Sequence, residues 1–458
     1  MNILLILIAL FFIAFMAVVH YKPAYKKYLL IVSRIFVGVV FLFSGFVKAV
    51  DPLGSTYKFT DYFTAFGFEN LSFLAFPLAV FLSSIEFVIG FMLVFNVKTK
   101  QANLLALIFM IFFTPLTLYL AIYNPVSDCG CFGDALVISN WQTFWKNIII
   151  DIPVIYLLLN KKQLKPHLDK YRETALILLP AILILMFSVY NYQHLPVIDF
   201  RPYKIGNNIK VLMKSYDELS KEIPEEKAIL DKIPKDKAYD QYKTVYTYEK
   251  DGIQKQFTEI PDSSWKWVKT DNTLIASGYH PPIHDFSISN SEEGDITGEV
   301  LNDTAKSILI ISYKINKADY TGLLSAVKYA LDCNQKGIKS YFLTASLQED
   351  INALKDSITK VFNLQADAEE GRTEYVYYYE KDGEIESFTE DNLPDSDEWT
   401  FIDKEQISSQ EKTEFPVKFY ETDETTLKTI IRANPGVVII KNGVIINKYH
   451  YLDLPKCE

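Results

Sequence analysis

The chain has 458 residues and a formal net charge of −10, but its charge and hydrophobicity are distributed unevenly. Residues 1–192 carry a net charge of +5, which leaves −15 for residues 193–458. An acidic C-terminal part argues against nucleic-acid binding, because neutralising phosphates requires a basic surface. The length allows more than one domain.

Six long apolar segments lie in the first 192 residues. Each comes close to the roughly 20 residues that a helix needs to cross the hydrocarbon core. They predict a membrane bundle of about six transmembrane helices. The first segment could instead be a signal peptide, but it has no basic residue before its apolar run. The segments are 3–19, 29–47, 73–95, 104–123, 141–159 and 175–190.

Basic residues are concentrated in alternate loops of this apolar part. The loops after the first, third and fifth segments are rich in lysine, whereas the loop 51–72 has only Lys58 and the loop 124–140 has none. The positive-inside rule places the lysine-rich loops in the cytoplasm. Both termini, and all residues after Tyr192, are then predicted on the opposite side, which is the periplasm in a bacterium.

An internal repeat occupies part of the acidic region. Residues 245–252 (VYTYEKDG) match residues 376–383 (VYYYEKDG), and the match continues to the tryptophans at 265 and 399. Alternating residues around Asp-Gly predict a β-hairpin, followed by a third short strand. A duplicated packing module is one interpretation, and a peptide-binding sheet edge is the other.

An α/β pattern surrounds the second copy of the repeat. A buried strand at 307–313, two helix–strand steps and a final hairpin at Asn442-Gly443 resemble a thioredoxin fold. In that resemblance Pro435 stands where thioredoxins place a cis-proline. The Cys-x-x-Cys that should follow the first central strand is absent from 312–319. We therefore expect a domain that cannot catalyse thiol exchange alone.

Two of the four cysteines, Cys129 and Cys131, lie one residue apart in the loop between the fourth and fifth apolar segments. A disulfide in so small a ring departs from relaxed geometry and should be easily reduced. A redox pair, a structural clamp and a metal-ligand pair remain open as interpretations, although no Cys or His cluster completes a metal site. Cys333 is predicted as a buried free thiol, and its pairing with Cys457 cannot be deduced.

The ionisable residues Arg34, Glu86 and Asp151 interrupt the apolar segments. Charges in hydrocarbon are costly unless they are paired or face the interior of a bundle. Counting the rise per residue predicts an Arg34–Glu86 pair that extends to Asp151. The pair could be structural, or it could form a polar site for a quinone or a proton path.

The second apolar segment and its C-terminal end contain the motif residues Gly38, Gly45, Lys48, Asp51 and Pro52, which carry a family resemblance. Residues 28–160 resemble the DoxX family, and the Cys-Gly-Cys-Phe-Gly loop brings them close to its methylamine-utilisation branch, MauE. With its C-terminal part, the chain looks like a DoxX-type protein of the Bacteroidetes kind with a degenerate thioredoxin-like region.

The resemblance implies a four-helix membrane bundle in a bacterial inner membrane. DoxX relatives are linked to oxidation of sulfur compounds coupled to quinone, so a quinone is the one candidate cofactor. MauE relatives are linked to maturation of a disulfide-rich periplasmic enzyme subunit. Neither link identifies a substrate here, and no methylamine pathway can be inferred from the chain.

The predicted architecture is thus an α-helical membrane bundle with a DoxX-like core, joined to an α/β thioredoxin-like domain that carries inserted hairpin repeats. The predicted parts are 1–27 (first helix and cytoplasmic loop), 28–160 (four-helix domain), 161–192 (loop and sixth helix), 193–228 (periplasmic connector), 229–280 (first repeat module) and 281–458 (thioredoxin-like domain, with the second module at about 363–414).

Two functions fit this architecture. In the first, Cys129 and Cys131 exchange electrons with a periplasmic protein client, as a component of a thiol–disulfide oxidoreductase, while the thioredoxin-like domain docks the client. In the second, the chain is a non-enzymatic scaffold or assembly factor for an envelope complex. A small-molecule transporter is a weaker third candidate, because the bundle shows no inverted repeat.

Overall fold

The structure is a computed structural model. It describes residues 2–164, 169–221, 224–369, 374–381, 384–389, 392–394, 399–407 and 415–457. The chain divides into two compact units. The membrane unit comprises Met1–Arg201, Ile431–Gly436 and Tyr449–Pro455, and the sheet unit comprises Pro202–Ile430, Val437–Lys448 and Lys456–Glu458.

Helices dominate the membrane unit. Before Arg201, the described residues form α1 (Asn2–Tyr21), α2 (Lys26–Val50), α3 (Pro52–Ala65), α4 (Ala75–Val94), α5 (Thr99–Tyr123), α6 (Asn140–Leu159) and α7 (Lys170–Gln193).

Five helical segments are long and apolar enough to span a membrane: Pro23–Val50, Glu69–Val94, Thr99–Tyr123, Asn140–Leu159 and Tyr171–Gln193. Helices α2, α4, α5, α6 and α7 agree with the predicted segments to within five residues at each end. Among the described residues, the N-terminal apolar helix Leu5–Tyr21 is shorter than these five segments. The structure therefore supports five of the six predicted spans.

Glycines bring α2 and α4 into close contact. A Cβ atom on Gly45 would lie 2.3 Å from the backbone nitrogen of Phe87, and one on Gly90 would lie 2.2 Å from that of Leu42. No larger residue fits at either position without moving the helix backbones, which is how small residues set helix crossings in membranes. Gly38 lies in the same contact, where an added Cβ would come within 2.9 Å of the Val94 backbone nitrogen.

Helix α3 is an element that the sequence predicted only as a loop. Pro52 occupies its first turn, and the side chain of Asp51 caps it by accepting from the Gly54 backbone nitrogen at 2.8 Å. Proline at the first helical position and aspartate at the N-cap are both favourable. Half of the residues of α3 are polar or glycine, which is why hydropathy alone overlooked it.

The sheet unit contains helices of four to 22 residues and the strands of three sheets. Its helices are α8 (Ile209–Leu212), α9 (Tyr216–Leu219), α10 (Pro224–Leu230), α11 (Thr297–Asn302), α12 (Tyr320–Gln335), α13 (Gln348–Glu369) and α14 (Glu424–Ile430). Its strands are β1 (Gln241–Lys250), β2 (Ile253–Phe257), β3 (Lys266–Ala276), β4 (Ser289–Asn290), β5 (Gly294–Asp295), β6 (Lys306–Ser312), β7 (Lys339–Thr344), β8 (Glu374–Lys381), β9 (Glu384–Thr389), β10 (Thr400–Ile407), β11 (Lys418–Glu421), β12 (Gly436–Lys441) and β13 (Val444–His450).

The largest sheet has seven strands in the order β13-β12-β6-β7-β11-β4-β5. Strands β6 and β7 run parallel, with Ile310 opposite Phe342, and β11 continues the parallel arrangement beside β7. Six of the seven residues of β6 are buried, which confirms the predicted central strand. Asn442 and Gly443, the predicted turn between the last two strands, both have positive φ, as a type I′ hairpin requires.

Each repeat copy forms its own three-stranded antiparallel sheet. The first has the order β2-β1-β3, and the second has the equivalent order β9-β8-β10. In the first copy the predicted Asp251-Gly252 turn has positive φ at both residues, and Lys250 pairs with Ile253. The predicted turn of the second copy, residues 382–383, lies outside the described residues.

Cys333 and Cys457 form a disulfide within the sheet unit. The prediction that Cys333 is a free thiol is therefore wrong. Cys333 is buried on α12, as predicted, and Cys457 is also buried. The burial of the C-terminal cysteine depends on packing between residues 124 positions apart, which no local pattern reveals.

Candidate thiol site in the loop between α5 and α6

The cysteine loop, residues 124–139, joins α5 to α6 and brings two thiols together. Cys129 and Cys131 are free cysteines whose sulfur atoms lie 3.0 Å apart. Gly130 between them has φ +65°, which favours glycine, and an added Cβ would lie 3.0 Å from Cγ of Lys58. The glycine therefore allows the tight turn that places both side chains on one side.

Side chains from α2 and α3 hold this loop. The Tyr62 hydroxyl donates to the carbonyl of Cys129 at 2.7 Å, and Ser44 Oγ donates to the carbonyl of Cys131 at the same distance. Lys58 forms an ion pair with Asp128 at 2.6 Å. These contacts bracket the two cysteines, so the position of the thiols is set by the helices as well as by the loop itself.

A partly buried ion pair lies beneath the loop, between α2 and α4. Lys48 Nζ contacts the Glu86 carboxylate at 2.7 and 2.8 Å. Ser44 Oγ lies 2.7 Å from Glu86 as well as from the Cys131 carbonyl, so its single hydroxyl hydrogen is shared between these two acceptors. Ser44 and Lys48 are one turn apart on α2 and so share a face. Glu86 is 3% exposed, so the pair satisfies a charge that would otherwise be costly in this setting.

The predicted pairing of Glu86 with Arg34 is wrong. The contacts of Gly45 with Phe87 and of Gly38 with Val94 define the register of the antiparallel helices α2 and α4. In both contacts the two residue numbers sum to 132, so a residue of α2 lies level with the residue of α4 that completes this sum. In this register Arg34 lies about twelve residues, or roughly 18 Å, from the level of Glu86. A buried guanidinium nitrogen of Arg34, Nη1, has no hydrogen-bond partner among the described residues.

Asp151 does not extend this ion pair through any described contact. Its carboxylate accepts a hydrogen bond from Thr114 on α5 at 3.0 Å. The three predicted intramembrane charges are therefore not brought together as one network. The partners that sequence reasoning missed are Ser44 and Lys48. Their spacing of four residues within the family motif is the signal that could have identified them.

The electrostatic surroundings distinguish the two thiols. The hydrogen bond from Cys129, together with the positive charges of Lys146 and Lys48, lowers the pKa of Cys131 to about 6. The shared hydrogen bond with Cys131 and burial raise the pKa of Cys129 well above its ordinary value. Cys131 is thus the group that ionises near neutral pH, and Cys129 is the group that keeps its proton.

Apolar residues enclose one side of the site. Phe132, Ile138 and Val47 form a buried cluster, and the Lys146 ammonium lies 4.6 Å from the centre of the Phe132 ring. Cys129 is 8% exposed, whereas Cys131 is partly exposed. A partner reaching this loop would therefore meet Cys131 more easily than Cys129.

Arg432, in the membrane-unit segment Ile431–Gly436, joins two acidic residues near the loop. Its guanidinium contacts Asp51 and Asp134, each at 2.9 Å, and lies 5.3 Å from the centre of the Tyr57 ring. Arg432 is 5% exposed, and the two carboxylates raise its pKa against the opposing effect of burial.

Asp51 thus caps α3 and also forms an ion pair with Arg432. Asp134, the other partner of Arg432, directly follows the Cys-Gly-Cys-Phe-Gly sequence. The segment also contains Pro435, whose peptide bond with Asn434 is cis. The motif residues Asp51 and Pro52 form the α2–α3 junction, and Lys48 pairs with Glu86 one turn earlier.

Among the described residues, no group of three or more His, Cys, Asp or Glu side chains could hold a metal ion.

The comparison with protein families identifies this part of the chain. Residues 26–160 match the model of a family described as methylamine utilisation protein MauE. The chain therefore contains a MauE-like domain at residues 26–160, together with several helices that are apolar enough to cross a membrane. The match covers α2 to α6 and includes the whole cysteine loop. The MauE part of the predicted resemblance is confirmed, and the DoxX part stays a prediction.

A second family model matches the sheet unit twice. It is described as a domain of unknown function (DUF8463), and it matches residues 242–277 and 373–411. These two matches contain the two copies of the sequence repeat. No curated protein and no solved structure matches the chain.

Proposed function

We propose that this MauE-like protein is a membrane thiol–disulfide oxidoreductase component, in which a Cys129–Cys131 disulfide oxidises the dithiol of a protein client. The observation that carries the proposal is the pair of free thiols 3.0 Å apart in a loop held by three side-chain contacts. A movement of about 1 Å would bring the two sulfurs to the length of a disulfide bond.

Cys131 is the sulfur that bonds to the client. A client thiolate attacks Cys131, the Cys129–Cys131 bond breaks, and the electron pair passes to Cys129. Cys129 then takes a proton, in keeping with its raised pKa. The second client thiolate attacks the client sulfur of the mixed disulfide and releases Cys131 as a thiolate, in keeping with its lowered pKa. The client has lost two electrons and two protons.

Two properties make the disulfide form an oxidant. The ring closed by two cysteines one residue apart is strained, which favours reduction. The reduced form is stabilised, because Lys48 and Lys146 lie where they compensate the charge of the Cys131 thiolate. A disulfide whose reduced form is stabilised accepts electrons readily.

Reoxidation of the loop requires an acceptor of two electrons. We propose a lipid-soluble quinone, which takes the electrons of Cys129 and Cys131 with the proton of Cys129 and one proton from water, and leaves as a quinol. The membrane spans beneath the loop make this class of acceptor accessible from the bilayer. The partly buried pair Lys48–Glu86 would position the Cys131 backbone through Ser44 and set the local charge.

The sheet unit would supply the client-docking surface without exchanging thiols. The element order β6-α12-β7-α13 and the terminal strands β12 and β13 support a thioredoxin-like fold, in which the second repeat module is inserted at about 363–414. Segment 312–319 contains no cysteine, and both cysteines of this unit are joined to each other. We place the protein in a bacterial inner membrane with its cysteine loop and sheet unit on the periplasmic side, on the strength of the lysine distribution.

A reaction of the purified full-length protein with a synthetic dithiol peptide tests the proposal. The protein is oxidised with diamide, desalted and mixed with the peptide, and the products are separated by mass. We expect the unchanged protein to convert about one equivalent of peptide to its disulfide. Cys129→Ser, pre-activated at Cys131 as a mixed disulfide with a small aromatic thiol, should form a stable Cys131–peptide disulfide with a single-thiol form of the peptide, in which the second cysteine is replaced by serine, and should release the aromatic thiol.

The matched control is Cys131→Ser, pre-activated in the same way at Cys129. It should form the peptide adduct much more slowly, because the sulfur of Cys129 is more buried than that of Cys131 and is harder for the peptide to reach. No oxidation of the peptide by the unchanged protein would reject the oxidoreductase function and favour the scaffold alternative. Equal adducts from both variants would reject the assignment of Cys131 as the client-facing sulfur.

A further inference from the structure

A cavity of about 250 Å³ lies between the first turn of α5 and the end of α6. The cysteine loop joins the opposite ends of these two helices, so the cavity faces the other side of the membrane unit. Its polar lining includes Lys100, Lys161 and Asn103. Its position at the ends of two membrane spans places it where lipid headgroups lie.

Two lysines give the cavity a positive charge. Lys100 and Lys161 line it together, and no acidic side chain is among its lining residues. In the part of the chain that the structure describes, neither lysine forms an ion pair. Two like charges beside one cavity at a membrane boundary repel each other, and an anion between them would relieve the repulsion.

A buried acceptor also lines the cavity. Asn103 is 1% exposed, and its side-chain nitrogen donates to the carbonyl of Val154 at 3.2 Å. Its oxygen Oδ1 is buried without a hydrogen-bond partner among the described residues. An unmade hydrogen bond at a buried oxygen is costly. A ligand hydroxyl, or a bridging water, that reached this oxygen from the cavity would satisfy it.

The remaining walls are apolar. Leu104, Leu158 and Leu164 line the cavity, and Leu104 is 50% exposed on the surface of α5. Leu164 packs with Leu30 and Leu157 in a buried cluster. An occupant of this cavity would therefore have an anionic group beside the lysines and a hydrocarbon part along the leucines. A phospholipid has both parts, and a free inorganic anion has only the first.

We propose that this cavity binds an anionic phospholipid, with its phosphate between Lys100 and Lys161 and an acyl chain along the α5–α6 surface. Basic recesses between membrane helices are known to suit anionic headgroups in this way. The proposal is independent of the thiol chemistry, because the cavity and the cysteine loop lie on opposite faces of the membrane unit.

Binding is measured on the full-length protein in nanodiscs of phosphatidylcholine, with phosphatidylglycerol of the same acyl chains added in steps. Lipid that remains bound after transfer to detergent is counted by native mass spectrometry. We compare the unchanged protein with Lys100→Gln/Lys161→Gln. The matched control is Lys22→Gln/Lys27→Gln, which removes the same charge from the same predicted face and does not line the cavity.

We expect retained phosphatidylglycerol in the unchanged protein and in the control, and at least about tenfold weaker retention in Lys100→Gln/Lys161→Gln. Asn103→Leu should weaken retention by a smaller factor. Equal retention of phosphatidylglycerol and phosphatidylcholine would overturn the proposal, as would equal loss in the control. Displacement of the lipid by millimolar inorganic phosphate would also overturn it, in favour of a site for free phosphate.

Discussion

The membrane unit and the sheet unit each contain one cysteine pair, and the two pairs differ in state and surroundings. Cys333 and Cys457 are 124 residues apart, buried and joined as a disulfide. Cys129 and Cys131 are two positions apart, free, and surrounded by lysines and hydrogen-bond donors. The distant pair links parts of the sheet unit, whereas the close pair is free and has surroundings that favour a thiolate, which the proposed exchange reaction requires.

The largest effect that would test this comparison is expected from Cys131→Ser, on thiol–disulfide exchange activity. Cys131→Ser should abolish oxidation of a dithiol peptide, because a serine oxygen cannot form the mixed disulfide. Its stability should change by no more than about 0.5 kcal/mol, since Cys131 lies in a loop. Peptide oxidation and thermal unfolding, measured on the same preparation, check both statements. Retained activity would show that the reactive sulfur lies elsewhere.

For Cys333 and Cys457 we expect the opposite pattern, a loss of stability without a loss of exchange activity. Cys333→Ser/Cys457→Ser should lower the stability of the sheet unit by about 2–4 kcal/mol, because the disulfide closes a long loop in the unfolded chain. Peptide oxidation by the cysteine loop should persist at low temperature. Urea unfolding followed by tryptophan fluorescence gives the stability. A variant as stable as the parent protein would remove the contrast between the two pairs.

The pH dependence of alkylation provides a third test. In the reduced protein, the thiolate of Cys131 is the reactive species, and its pKa is lowered to about 6. The rate of reaction with iodoacetamide should therefore rise up to about pH 6 and level off above pH 7. Below pH 6 it should fall about tenfold per pH unit. A profile that rises only near pH 9 would show an ordinary thiol.

A smaller effect is expected from the ion pair beneath the loop. Lys48→Gln removes a positive charge that favours the Cys131 thiolate, so it should raise the pKa of Cys131. Glu86→Gln removes a charge that opposes the thiolate, so it should lower that pKa. Alkylation at pH 5.5 should become severalfold slower in the first variant and faster in the second. Shifts in the same direction would point to a loss of structure instead.

Hydropathy was sufficient to locate the membrane helices, because crossing the bilayer imposes a length and composition that each segment shows by itself. The repeat modules were equally predictable, since alternation around Asp251-Gly252 is a local signal for a hairpin. Hydropathy did not predict the polar helix α3. Its cap by Asp51 and its first-turn proline are local signals too, but they lie between two stronger apolar segments.

The sequence by itself determined which residues could react: two cysteines with one glycine between them, in a loop next to membrane spans. Only the tertiary structure decided their partners. The close contacts at Gly45 and Gly90 set the register of α2 against α4, and that register places Lys48 rather than Arg34 beside Glu86. Ion pairs form between side chains at the same level, and the level depends on contacts between helices that are distant in sequence.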